Sequence, residues 1–263
     1  MAFVHYQDQS FEVGSTESVL DCLIRNGVDL PYGCKQGVCH ACKLKLVAGS
    51  VPARSQEPLR DTWRAQGYFL ACRCRPAADL TVIREVQPFV SEAQVVSYDV
   101  VSYDKRARLR LATPFAYHAG QCVKLRSESG WSRNTPISSL PGDEFLEVLL
   151  DSPPPSALTV EGPFGDSFYV AEKQEDTLFL AGGGAGLAPL TAIARDARSQ
   201  GHTGPIRMFG DATELEVFLA SESSDLRACR AYLAGDPALV RPLRRLLFQA
   251  GMEMKDIHCN DSL

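Results

Sequence analysis

Hydrophobic and polar positions change their rhythm three times along this chain. Residues 2–6 and 10–13 alternate apolar with polar, the pattern of a hairpin. Ser18 stands where it can cap a short helix that carries Val19, Leu20, Leu23 and Ile24 on one side. Residues 43–47 alternate again, and residues 80–83 can supply a closing strand. After Glu85 and a connector with Pro88, short strand candidates follow at 95–101, 107–111, 121–125 and 145–150. Turn residues separate them, which predicts a small antiparallel barrel. Gly162-Pro-Phe-Gly165 closes that stretch. From Thr177 a buried strand at 178–181 runs into the glycine-rich turn 182–189 and a helix at 190–198. Strands at 206–209 and 231–233, each followed by a helical stretch, predict a parallel α/β sheet.

The chain has 263 residues, 45% of them hydrophobic, enough for two or three cores. The predicted modules are residues 1–88, 89–171 and 172–263. A formal net charge of −5 argues against nucleic acid as the main partner. It leaves open a partner with a basic patch. The first residues show no basic region followed by an apolar core, so no secretory signal is expected. No apolar stretch reaches the roughly 18 residues of a membrane span, and a soluble, cytoplasmic protein is expected. Nine cysteines is a high and odd number. In a cytosolic protein such a count points to metal or redox work.

Cys34, Cys39 and Cys42 form C-x4-C-x2-C, and Cys72 follows at a distance. This is the plant-type spacing for one [2Fe–2S] cluster. An anionic cluster needs backbone N–H groups turned toward its sulfurs. The small residues Gly33, Gly37 and Ala41 permit a loop tight enough to supply them. Two alternatives use the same cysteines. Cys39, Cys42, Cys72 and Cys74 could form a zinc site, which leaves Cys34 unexplained. Cys74 could replace Cys72 as fourth ligand, since residues two apart in a strand face one side. His40 is expected to face solvent. Cys22, Cys122, Cys229 and Cys259 stand outside the pattern and read as buried structural thiols. In the last module, Gly182, Gly183, Gly184 and Gly186 sit in a strand-to-helix turn that can cradle a phosphate. A tight turn also needs glycine for steric reasons alone.

The order of hairpin, helix, cluster loop and strand in residues 1 to about 88 resembles a ferredoxin. In that pattern an apolar Leu-Ala-Cys followed by Arg-Pro favours Cys72 as fourth ligand. The three modules together resemble the ferredoxin-containing reductases of the ferredoxin–NADP reductase family, of the type that feeds bacterial oxygenases. The resemblance implies NAD(P)H as donor, FAD as intermediary, the cluster as one-electron carrier and an oxygenase component as redox partner. It places the flavin motif at residues 133–139. Arg133 would meet the flavin phosphate, Thr135 stands at the stacking tyrosine, and Ser138 and Ser139 complete the segment.

Departures fall on the same positions. Pro136 stands where a serine should bond near the ring. A one-residue slip aligns Thr135-Pro136 with a Thr-Pro variant, and then Asn134 and Ser132 replace tyrosine and arginine. Pro153, Pro154 and Pro155 occupy the interval where relatives start a helix whose amides bind the flavin pyrophosphate. Ala212 replaces a nucleotide-binding arginine, Ala234-Gly235-Asp236 replaces Cys-Gly-Pro, and Asp261-Ser-Leu263 lacks the expected aromatic residue. Against the resemblance, the last module is short by a strand–helix stretch between Leu219 and Arg230. Two readings therefore stand side by side: an NAD(P)H-dependent reductase, or a flavin-free ferredoxin subunit whose degenerate reductase half serves docking or assembly.

Overall fold

The computed structural model describes residues 2–84, 87–101, 104–221 and 226–260. Its contacts divide the chain into two units, Met1–Gln87 and Pro88–Leu263.

In the first unit, β1 (Ala2–Tyr6) and β2 (Gln9–Val13) form the expected antiparallel hairpin. Their turn, Gln7-Asp8, has positive φ at both residues, the geometry that fits the twist of a tight hairpin. Helix α1 (Val19–Arg25) begins at Ser18, whose hydroxyl accepts the Asp21 N–H. Then come β3 (Lys43–Ala48), α2 (Asp61–Ala65), β4 (Tyr68–Leu70) and β5 (Leu80–Ile83). The sheet runs β2-β1-β5-β3-β4, with β1 and β5 parallel and the other neighbours antiparallel. Val4, Leu20, Leu23, Leu44, Phe69 and Leu80 close the core without exposed surface. Each large side chain buried this way stabilises the unit by about 1.5–3 kcal/mol.

The second unit contains a curled antiparallel sheet and a parallel one. The first is built from β6 (Phe89–Val101), β7 (Asp104–Leu111), β8 (Cys122–Arg126), β9 (Ser132–Pro136), β10 (Leu146–Leu149) and β11 (Ala157–Phe164). Its order is β10-β7-β6-β11-β8-β9. A bridge between Ile137 and Val148 draws the two edges together into a half-barrel. Strand β9 has no apolar alternation in Ser-Arg-Asn-Thr-Pro, so hydrophobic rhythm alone does not predict it.

The parallel sheet alternates β12 (Thr177–Gly182), α3 (Leu187–Ser199), β13 (Ile206–Phe209), α4 (Ala212–Ser221), β14 (Cys229–Ala234), α5 (Pro237–Gln249) and β15 (Ile257–Asn260). The order is β13-β12-β14-β15. The Asn260 amide donates to the Gly120 carbonyl at 3.0 Å and so ties β15 to the half-barrel. Arg230 lies in β14 with 1% exposure. Its guanidinium donates to the carbonyls of Val170 and Lys173 and lies 3.5 Å from Asp176. No helix among the described residues is long and apolar enough to cross a membrane.

Gly120 has φ +96°, and a Cβ there would come within 2.6 Å of Ile193 and 2.7 Å of the Ser167 carbonyl. Gly120→Ala should therefore cost about 1–3 kcal/mol from overpacking, read as a lower urea midpoint of the second unit. An unchanged midpoint would contradict the close docking of α3 on the half-barrel.

Candidate functional site

The cluster loop, residues 31–42, has no regular secondary structure and joins the segment after α1 to β3. Its shape comes from Lys35 and Gly37 at φ +53° and +87°, and from His40 at +56°. These left-handed residues turn successive amides to one side, the arrangement that makes an anion-binding nest. The Cys34 sulfur accepts N–H bonds from Gln36, Val38 and Cys39 at 3.4, 3.3 and 3.4 Å. Those donors, Cys39 first, pull its thiol down to about 6. A Cβ on Gly37 would lie 2.4 Å from the Arg73 side chain. Only glycine meets both the backbone and the packing demand there.

The second cysteine stretch is docked on the first. The Ala71 N–H donates to the Cys42 carbonyl at 3.1 Å. The turn that follows β4 then carries Cys72 to the neighbourhood of Cys42. Burial, aided by Cys42, pushes the Cys72 thiol up to about 12, while the Gly37 N–H works against it. The Cys39 side chain also lies close enough to act on the Cys34 thiol. The charge of Cys34 also reaches Cys72, so the four cysteines share one neighbourhood. Among the described residues, no three His, Cys, Asp or Glu side chains gather closely enough to hold one metal ion. Four soft thiolates at this spacing, with amides aimed at Cys34, fit a cluster with two irons.

Cys74 lies two residues on, with no exposed surface, inside the core of the first unit. Burial pushes its thiol up to about 12. His40 differs from its expected solvent-facing position. It is half-buried, edge-on to Trp63 at 5.7 Å, and burial lowers its pKa, with Lys43 and Arg60 adding to the effect.

The flavin-motif residues are dispersed. Arg133 is exposed and donates to the carbonyl of its neighbour Ser132. Thr135 is 1% exposed, and its hydroxyl donates to the Leu149 carbonyl at 2.5 Å. Ser139 is fully buried, bonded to the Tyr117 hydroxyl and accepting the Glu147 N–H. Ser138 is 7% exposed, and its hydroxyl has no partner among the described residues. Two of the three hydroxyls are therefore spent on internal bonds. No helix lies between the end of β10 and the start of β11, the interval that holds the three prolines. That interval presents no helix N-terminus to a pyrophosphate. A cavity of about 690 Å³ opens nearby, lined by Glu92, Arg110, Ser127 and Ser156. None of the predicted flavin residues lines it.

The glycine-rich turn divides by role. A Cβ on Gly182 or Gly186 would lie 2.1 or 2.2 Å from the Ala234 carbonyl, so both are required sterically. Gly183 is less confined, with Leu239 3.2 Å away. Gly184 has φ +58° and open space at its Cβ position. The amides at the start of α3 have no side-chain cap. At the end of β13, the Glu214 carboxylate accepts the Gly210 N–H at 2.7 Å, and Asp211 accepts the Glu214 N–H. In the segment 234–236, Asp236 caps α5 by accepting the Ala238 N–H. Asp261, Ser262 and Leu263 lie outside the described residues.

Residues 2–77 match the family described as 2Fe-2S iron-sulfur cluster binding domain. The reductase component of the naphthalene 1,2-dioxygenase system of Pseudomonas putida, a ferredoxin–NAD(P)(+) reductase, is 28% identical over 236 residues. That alignment covers 80% of this chain and 71% of the relative. A reductase component of naphthalene 1,2-dioxygenase/salicylate 5-hydroxylase systems from Ralstonia sp is 25% identical over 310 positions, covering 95% and 94%. That span exceeds the present chain, so the relative carries residues with no counterpart here. Among solved structures, the ferredoxin reductase in carbazole 1,9a-dioxygenase (FAD apo form) is similar, with a TM-score of 0.56 and 26% identity. It covers 98% of this chain and 97% of its own.

Cys39→Ser should abolish normal cluster assembly, because a hard hydroxyl replaces a soft thiolate. Cys74→Ser should leave the visible spectrum intact, and loss of colour there would make Cys74 the fourth ligand. In the metal-free chain, a thiol pulled down to about 6 should make Cys34 alkylation by iodoacetamide half-maximal near that pH. A midpoint in the ordinary thiol range, near 8.5, would contradict the amide nest.

Proposed function

We propose that this homologue of the ferredoxin–NAD(P)(+) reductase components of oxygenase systems, with a 2Fe-2S cluster-binding domain at its N-terminus, transfers single electrons to a partner oxygenase. Cys34, Cys39, Cys42 and Cys72 would hold the cluster. The observation that carries this reading is the convergence of three backbone N–H groups on the Cys34 sulfur, with Cys42 and Cys72 in the same neighbourhood. Those amides disperse anionic charge on the sulfur, which stabilises a thiolate there and favours the added electron. The loop is tied down at Ala71 and Gly37, so little reorganisation accompanies the charge change. Reduced thiols suit a cytoplasmic setting.

The names of the relatives support NAD(P)H as donor. A hydride carries two electrons and the cluster takes one, so a flavin, where it binds, supplies the splitting of the pair. In this chain, the open position beside Gly184 and the uncapped start of α3 suit a nucleotide phosphate. Asp211 and Glu214 put carboxylates at the end of β13, where an NADPH 2′-phosphate would need a cation. NADH is the nucleotide that this end suits.

A second reading is favoured by the half-barrel. With the Thr135 and Ser139 hydroxyls committed and no helix before β11, the second unit would be a flavin-free scaffold for the cluster domain. One assay on purified protein decides between them. For the reductase, acid-released flavin should match one per two irons, and NADH should bleach the cluster faster than NADPH. Iron without flavin, reducible by dithionite and untouched by either nucleotide, would leave the carrier subunit.

A further inference from the structure

Charge is unevenly distributed along the chain. Residues 30–78, which contain all four candidate thiolates, carry eight Lys and Arg against two Asp and Glu. That is a net +6 within a chain of net −5.

The structure sets four of these cations, Lys35, Lys43, Arg60 and Arg73, at or beside the loop. Arg73 lies against Gly37, and its guanidinium donates to the carbonyls of Gln36 at 3.3 Å and Arg54 at 2.9 Å. Lys35 sits 4.9 Å from the Tyr32 ring centroid while paired with Asp21. Beyond His40, the Lys43 ammonium is 3.5 Å and the Arg60 guanidinium 5.0 Å from the Trp63 ring centroid. Of the two acidic residues in the segment, Glu57 is 3.7 Å from Arg73, and Asp61 begins α2. Within the loop Val38 is 76% exposed and Tyr32 49%.

We propose that this cationic rim docks the electron acceptor, and that the acceptor is a protein presenting carboxylates around an apolar contact for Val38 and Tyr32. The inference rests on the electron-carrier reading above. An apolar centre within a polar rim is the usual anatomy of a protein interface. Lys43 and Arg60 are held over an indole by cation–π attraction, so less side-chain freedom is lost when a carboxylate meets them. The negative total charge of the chain suggests a basic partner patch, but that charge lies outside the cluster segment. Nucleic acid and anionic lipid also attract cations. Neither accepts an electron, and neither gives the exposed valine between two redox thiolates a role.

Opposite charge speeds encounter, and salt removes the advantage. The test uses the intact, iron-loaded chain, reduced with dithionite and mixed with two haem proteins in stopped flow. Cytochrome b5 serves as the acidic probe and cytochrome c as the basic one. Transfer to the acidic probe should fall about tenfold or more from low to high salt, while transfer to the basic probe holds or rises. The Lys43→Glu/Arg60→Glu variant, with an unchanged visible spectrum, should reverse that order. Equal salt dependence for both probes would overturn the docking inference and leave the carrier reading standing. No transfer to either probe from fully loaded protein would remove both. Absence of any preference for the acidic probe, with salt-sensitive binding to duplex DNA or phosphatidylserine vesicles that the variant loses, would reassign the rim.

Discussion

Backbone N–H groups aimed at a sulfur are the constraint on which the first unit depends. To bring three of them onto Cys34, the loop must pass through the left-handed region at Lys35 and Gly37. That path leaves no room for a side chain at Gly37, because Arg73 fills the space. Arg73 in turn belongs to the turn that presents Cys72, and the Ala71 N–H fixes that turn to Cys42. One set of hydrogen bonds thus shapes the loop, selects its glycine and brings the distant cysteine to the site. The same turn separates Cys72 from Cys74: the first lies beside Cys42 and keeps 8% exposure, and the second has none.

Much of this is legible in the sequence, for reasons that differ by region. Alternation in β1, β3 and β5 reflects one buried sheet face. The spacing of Cys34, Cys39 and Cys42 reflects a loop length that few other folds require. Strands β13 and β14 announce themselves as short apolar runs between helical stretches. The half-barrel is harder to read. Its β6 starts at Phe89, well before the apolar stretch that marks it, because a curled sheet buries only part of a long strand. Strand β9 is polar and is specified by its ladder with β8, not by rhythm. Arg230 sits in a fully buried strand, where the carbonyls of Val170 and Lys173, the Asp176 carboxylate and the Tyr169 ring compensate its burial.

Site residues of the second unit were visible as types but not as directions. Thr135 and Ser139 are hydroxyl residues in the expected segment, yet their neighbours decide where the hydroxyls point. The Leu149 carbonyl takes one, and Tyr117 with the Glu147 amide takes the other. Likewise four glycines read alike in the sequence, while the Ala234 carbonyl makes two of them steric necessities and leaves Gly184 open. His40 turned inward because Trp63, more than twenty residues away, offers its ring edge a partner. Long-range packing of this kind carries no local signature.

The proposed electron transfer requires Cys34, Cys39, Cys42 and Cys72 to hold two irons bridged by sulfide. Iron and acid-labile sulfide in freshly isolated anaerobic protein test it most directly, together with the paramagnetic resonance of the dithionite-reduced sample. About two irons and two sulfides per chain, with a single half-spin signal on reduction, is the result expected for this cluster type. Zinc in place of iron, with no labile sulfide, would contradict it.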